Sequence, residues 1–141
     1  MIDCSAFEKA LVQLEESLGY LNSELSRKDA GLRRQFRAAT IQAFEYTYEL
    51  GTKMLLRQLG EIVANPAELR QMAFLDLIRT AADAGLVRAF PPFRVYREKR
   101  NSTTHTYDEA KAEDVLSVMD PFLQDMRFLL AELKRRNRAT H

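Results

Sequence analysis

Hydrophobic residues recur along this chain at three- and four-residue steps, and no stretch alternates with the period of two that marks a strand. Phe7, Leu11, Leu14, Leu18, Leu21 and Leu25 form the first such stripe. It predicts a helix from about Ser5 to Ser26, opened by an S-x-x-E capping box of Ser5 and Glu8. The polar stretch from Ser26 to Gly31 reads as a turn. A second helix, the longest pattern, follows from about Leu32 to Leu59. Its buried face is Phe36, Thr40, Ala43, Phe44, Thr47, Gly51, Met54 and Leu55, with Glu49 and Lys53 as an i,i+4 ion pair and Gly60 as a stop.

Asn65-Pro66-Ala67-Glu68 places a capping residue before a proline and predicts a helical turn. A third helix spans about Phe74 to Ala84, ended by Gly85, with Leu86 placed to pack on the glycine cap. A fourth starts at Pro91-Pro92 and runs to about Thr103. The fifth runs from about Asp108 to Arg136, capped by Thr106 with Glu109 or by Asp108 alone, and kinked at Pro121. Its apolar face is Val115, Leu116, Met119, Phe122, Leu123, Met126, Leu129, Leu130 and Leu133. From Lys134 onward the sequence is polar and is expected to fray. The pattern predicts an all-α, up-and-down bundle of about five helices. One domain covers residues 1–136, and a polar tail covers 137–141.

Composition narrows the function classes. The 141 residues suit one domain with a real core. Lys plus Arg is 21 and Asp plus Glu is 20, so overall charge does not select a nucleic-acid partner; only a local basic patch could. The single cysteine, Cys4, cannot form an internal disulfide and reads as a bystander, which points to a reducing compartment, the cytoplasm. No apolar run is long enough to span a membrane, and the acidic N-terminus lacks a signal peptide's basic start. No Gly-rich phosphate loop, no metal-ligand spacing and no nucleophile elbow is present, so no metal or cofactor is expected. Glu45 and Glu49 stand one turn apart, but the E-x-x-H motif of a di-iron bundle is missing, so they read as a solvated or interface face.

The remaining chemistry lies in REKRNSTTHTYD, residues 97–108. On one straight helix Arg100 and His105 would point about 140° apart and could not serve one site. Ser102, Thr103 and Thr104 compete for backbone hydrogen bonds, so the helix is expected to end between them, or the two residues to meet across an interface. Arg100 offers a fixed cation with bidentate geometry, and His105 can exchange a proton near neutral pH. Together they suit metal-free RNA cleavage. Arg94, Arg97 and Arg100, spaced one turn apart, form a basic rail that could track a phosphate backbone. The same residues also fit a plain helix terminus, in which cations complement the dipole and Asn101 and the threonines satisfy the last carbonyls. Spacing alone favours that plainer reading.

Arg100-Asn101-Ser102-Thr103-Thr104-His105-Thr106-Tyr107, an R-N-x-x-x-H-x-Y element, resembles the signature of HEPN domains. More narrowly it is similar to the small HEPN proteins paired with minimal nucleotidyltransferases, the HepT-type toxins and nucleotidyltransferase substrate-binding proteins. Ile41 to Lys53 resembles the F-E-x-T-x-E-L-x-x-K segment of that group, and Asp76 to Val87 its segment ending in Gly-Leu-Val. The resemblance implies a homodimeric bundle in which Arg and His of two protomers face one cleft. It also implies a partner nucleotidyltransferase. In the toxin branch it implies a metal-independent ribonuclease, silenced when the partner transfers AMP to the tyrosine. By that likeness Arg100 and His105 are catalytic, Asn101 supports them and Tyr107 is the AMP acceptor, while Arg94 and Arg97, from their place on the basic rail, are the candidates to bind RNA or nucleotide. Glu45 and Glu49 become supporting partners of the basic cluster, and Tyr46 and Tyr48 packing residues. The family's tryptophan before the R-N pair is absent, its place taken by Phe93 or Tyr96. The other function that the resemblance allows is a non-catalytic subunit that holds substrate or nucleotide for a nucleotidyltransferase.

Overall fold

A computed structural model describes residues 2–139, with side chains through Asn137. Among these the architecture is wholly helical. The α-helices are α1 (Ser5–Leu21), α2 (Glu24–Lys28), α3 (Ala30–Ile62), α4 (Phe74–Asp83), α5 (Pro91–Asn101), α6 (Glu109–Leu116) and α7 (Met119–Ala139). Two 3₁₀ segments, Pro66–Gln71 and Thr103–His105, complete the order. The five expected rods are present, but the first and last are each broken in two.

The breaks have local causes. Pro121 has no N–H to return to Ser117 and its ring would strike that carbonyl, so the chain parts at 117–118 instead of kinking at the proline. Pro121 then sits harmlessly in the first turn of α7. Where a turn was expected after Ser26, α2 intervenes, and Asp29 caps α3 through Oδ1, which accepts from Gly31 N at 2.9 Å and Leu32 N at 3.1 Å. The Ser5–Glu8 capping box does not form. Asp3 Oδ1 accepts from Ser5 N and Oγ at 2.9 and 2.7 Å, while Glu8 pairs with Lys134 across the bundle.

Gly60 does not stop α3, which runs on to Ile62. Gly85 does stop α4. At φ +78° it lets its own N–H reach Ala82 O (3.0 Å) and Leu86 N–H reach Ala81 O (2.9 Å), and Leu86 is wholly buried. Asp108 alone caps α6, accepting from Ala110 N at 2.9 Å and Lys111 N at 3.4 Å.

Contacts fix the topology. Phe7 meets Gly51 and Tyr20 stacks on Phe36, so α1 and α3 run antiparallel. Glu8 pairs with Lys134 and Glu15 with Arg127, so α1 and α7 do too. Phe44 meets Phe122, and Gly51 meets Met126, so α3 and α7 run parallel. A Cβ on Gly51 would stand 3.0 Å from Met126 Sδ and 3.1 Å from Phe7 Cε1, which is why the three long helices can close here. The segment expected to fray is anchored instead. Arg136 Nη2 donates to Ala84 O at 2.5 Å, and Asn137 exchanges two 3.3 Å hydrogen bonds with the Ile2 backbone. The polar tail expected at 137–141 lies partly outside the described residues.

The expected apolar faces form the core, save that Leu25 is 55% exposed and Phe36 is only half-buried, stacked on the exposed Tyr20. Among the buried polar residues one carries a charge. Asp125 of α7 is buried. Its Oδ2 accepts from Tyr96 Oη at 2.5 Å, and its Oδ1 from Arg88 Nη2 and Nε at 2.7 and 3.2 Å. Burial, and then the bond to Asp125, pushes the Tyr96 phenol far above its ordinary value. Tyr96 also packs edge-on against Phe93 and Phe122. This cluster fastens α5 to α7.

Removing Asp125 strands a buried phenol and a guanidinium, whereas Arg88 is half exposed. Asp125→Ala should therefore cost about 3 kcal/mol and Arg88→Ala less than about 1 kcal/mol in urea unfolding. Equal costs would show that the cluster does not hold α5. A second prediction concerns α6. The Arg33 hydrogen bond, and then the charges of Arg33 and Arg37, hold Glu113 below the ordinary glutamate value of 4.5. A depressed carboxylate stabilises above its unfolded pKa and loses that contribution as pH falls through the folded one. Stability should thus drop as pH falls below about 4.5, and Glu113→Gln should flatten that acid limb in pH-dependent thermal melts.

Candidate active site

The candidate site is built on the end of α5. Pro91 and Pro92 occupy its first positions, where a missing N–H is harmless. Phe93 and Tyr96 turn inward and are buried. Arg100, one turn after Tyr96, is thereby carried toward α3. Two of the three expected hydroxyls end the helix, Ser102 Oγ donating to Lys99 O (3.0 Å) and Thr103 Oγ1 to Arg100 O (2.8 Å), while in place of Thr104 it is Thr106 Oγ1 that donates, to Thr103 O (2.9 Å) in the turn beyond. The chain tightens into the 3₁₀ turn Thr103–His105, held by His105 N–H to Ser102 O at 3.0 Å.

This ending sets the side chains. Arg100 Nη2 forms a short ion pair with Glu49, and Nη1 donates to Thr103 Oγ1 at 3.3 Å. Glu49 thus pairs with Arg100 rather than with Lys53, the partner expected one turn along its own helix. Glu45 lines a shallow cavity of about 500 Å³ between α3 and Thr106, with Gln35, Ala38, Ala39, Ile41 and Gln42. The rail is not three free cations. The Arg97 guanidinium lies 4.6 Å from the Phe74 ring centre and that of Arg94 5.9 Å from Phe90. Stacking leaves the edges of both guanidinium groups open to acceptors. Asn101, His105 and Tyr107 are exposed, Tyr107 at 86%, and the last two rings meet edge-on at 6.2 Å. No hydrogen bond joins Arg100 to His105 among the described residues, so within this chain they are neighbours at a helix end and not a coupled pair.

Three further residues belong to the site. Thr103 is buried and braces the Arg100 guanidinium. Lys99 ties α5 to α6 through Asp114 at 2.7 Å. Tyr48 packs against Phe44 and Phe74, and burial raises its phenol while the charges of Arg97 and Arg100 partly offset the rise. The threonine hydroxyls were a signal in sequence, but which of them would turn inward was not. Tyr46 remains exposed, its hydroxyl accepting from Gln42 Nε2 at 3.0 Å.

Glu49 is 56% exposed at its side chain, so its pair with Arg100 orients more than it stabilises. Glu49→Gln should change stability by less than about 1 kcal/mol. It should also increase Arg100 side-chain mobility, read from the Nε–Hε order parameter by NMR. An unchanged order parameter would show that Thr103 alone fixes the guanidinium.

Known proteins resemble this chain over most of its length. Residues 2–135 match the family described as nucleotidyltransferase substrate binding protein like. A Haemophilus influenzae protein named probable ribonuclease HepT is 41% identical over 100 residues, covering 71% of this chain and 68% of that protein. A solved Haemophilus influenzae structure, described as revealing the fold of a substrate binding domain of a nucleotidyltransferase, superimposes with a TM-score of 0.89. It is 31% identical and covers 94% of this chain and 99% of that one. With a match over nearly its whole length and the same helical fold, the chain belongs to the nucleotidyltransferase substrate-binding-like family, of the HepT type.

Proposed function

We propose that this protein is a metal-independent RNA endonuclease of the cytoplasm, the toxin half of a pair with a minimal nucleotidyltransferase. The observation that carries the reading is the turn itself. An oriented guanidinium stands at the end of α5, and an open imidazole and phenol follow on an exposed 3₁₀ turn. The name of the 41% identical relative, probable ribonuclease HepT, supports it.

In the proposed reaction neutral His105 takes the proton of a ribose 2′-OH. The 2′-oxygen attacks the adjacent phosphorus, and the bond to the 5′-oxygen breaks. The leaving oxygen takes a proton from a second imidazole that starts the step protonated, as an imidazolium, leaving a 2′,3′-cyclic phosphate and a 5′-OH. Arg100 stabilises the charge that builds on the phosphate oxygens. The second imidazole is His105 of a second protomer across a dimer cleft. Asn101 supports the turn, and Arg94 and Arg97 hold flanking phosphates with the outer edges of their stacked guanidinium groups. Silencing occurs when the Tyr107 phenol attacks the α-phosphorus of ATP on the nucleotidyltransferase. Pyrophosphate leaves, and AMP remains on the tyrosine oxygen. The added bulk and charge then repel RNA from the cleft.

A second reading also has an observation behind it. Arg100 is already engaged by Glu49, and the matched solved structure is described as a substrate binding domain. On that reading the protein holds substrate or nucleotide for the nucleotidyltransferase and cuts nothing.

One assay separates them. The purified protein should cleave RNA in EDTA and leave 2′,3′-cyclic ends. His105→Ala and Arg100→Ala should each lower the rate by about 100-fold or more. Tyr107→Phe should still cut but accept no AMP from the nucleotidyltransferase, read by mass spectrometry. If the wild type does not cut, or His105→Ala cuts equally well, the nuclease reading is lost and the binding subunit stands.

A further inference from the structure

A second cavity lies away from the His105 turn. It measures about 590 Å³ and is lined by Lys53, Leu56, Arg57, Gly60, Pro66, Ala67, Leu69 and Arg70. It forms where the last turns of α3 meet the 3₁₀ segment Pro66–Gln71. Leu69 is buried and Leu56 half-buried, giving the cavity an apolar floor. Its charged side chains are all cationic, and none of the three forms an ion pair or hydrogen bond among the described residues. Two of the acids nearby are otherwise engaged. Asp3, which feels the charge of Arg57, accepts from Ser5, and Glu68 accepts from Asn65 Nδ2 at 3.3 Å.

The position of this cavity on α3 matters. Glu45, Glu49, Lys53 and Arg57 follow one another at four-residue steps along a single ridge, each about 6 Å beyond the last. The acidic half of the ridge borders the Thr106 cavity and holds Arg100. The basic half opens into the second cavity. A helical turn matches the scale of one nucleotide step in an extended strand. Free cations around an apolar floor suit a ligand with an anionic and a flat apolar part, and a phosphate alone would leave the floor unused.

We propose that this cavity is a separate nucleotide subsite, in which Lys53, Arg57 and Arg70 hold a phosphate and Leu56, Pro66 and Leu69 receive the attached nucleoside. The nucleotide has two possible sources, a free nucleoside phosphate or a unit of RNA flanking the strand at Arg100. Only the second rests on the nucleic-acid reading above.

Gly60 offers a clean probe, because a Cβ there meets nothing within 4 Å. Gly60→Leu fills the cavity without touching the core, and replacing a glycine inside a helix favours the fold. Amide NMR of the full chain would be followed while AMP, adenosine or a non-cleavable 2′-O-methyl RNA decamer is added. AMP should shift the amides of Gly60, Ala67 and Leu69 saturably. Adenosine should bind about tenfold more weakly for want of the phosphate, and Arg57→Glu and Gly60→Leu should each weaken AMP by about tenfold or more. If the decamer shifts these amides and both variants weaken it, the source is flanking RNA; if only AMP does, the source is a free nucleotide. If neither ligand moves them, or Gly60→Leu binds both as the wild type does, the subsite does not exist. These readouts do not involve cleavage. A protein that never cuts RNA can still bind AMP here, and a protein that cuts can still leave these amides unmoved.

Discussion

A carboxylate set into the core by α7 decides where the site-bearing helix lies. Asp125 accepts from the Tyr96 hydroxyl on one oxygen and from the Arg88 guanidinium on the other. The phenol belongs to the middle of α5 and the guanidinium to the segment before it, so one residue fixes both the approach and the tilt of that helix. With Tyr96 pinned, Arg100 one turn later has little choice but to face α3, where Glu49 meets it. The Phe93, Tyr96 and Phe122 rings pack edge-on around the same point and exclude the water that would weaken these bonds. An apolar residue at 125 would pack, but it would not specify which face of α5 turns inward.

The turn after α5 adds a second constraint. Ser102 and Thr103 take two of the last carbonyls of α5, the helix ends without an αL residue, and Thr106 closes the 3₁₀ segment by which the chain leaves it. The guanidinium and the imidazole are therefore held by different elements, one by contact with α3 and one by a local turn. The arrangement leaves His105 and Tyr107 open to solvent while Arg100 is braced from behind.

The sequence announced most of the helices because their faces are set by period and glycine. Thr40, Phe44, Thr47, Gly51, Met54 and Leu55 all lie on the buried face their spacing implied, and Gly85 terminates α4 with Leu86 buried beside it, as its place implied. What it concealed were long-range electrostatic choices. Glu49 has a partner at the ideal local spacing in Lys53, yet it pairs with Arg100, fifty-one positions away, because tertiary approach outweighs an exposed pair worth a few tenths of a kcal/mol. Asp125 sits among apolar residues whose period is unbroken without it, so nothing local marked it as buried. The Pro121 break was visible but displaced, since the proline acts on the carbonyl four residues before it. In the site, residue types and order were legible. The bracing by Thr103 and the stacking of Arg97 on Phe74 were not, because both depend on elements distant in the chain.

The missing tryptophan has an optical consequence. With five tyrosines, eight phenylalanines and no Trp, the near-ultraviolet signal of the folded chain must come from phenol and benzene rings. Phe44, Phe122, Tyr96 and Phe93 form a continuous series of edge-on neighbours with centres 4.8 to 5.2 Å apart, locked in one chiral arrangement. Tyr107, standing in solvent, lacks such neighbours apart from His105. Near-ultraviolet circular dichroism, which vanishes when side-chain packing loosens even if helices persist, is thus weighted toward the junction of α3, α5 and α7. The spectrum of this protein reports on the same joint that aims its candidate site.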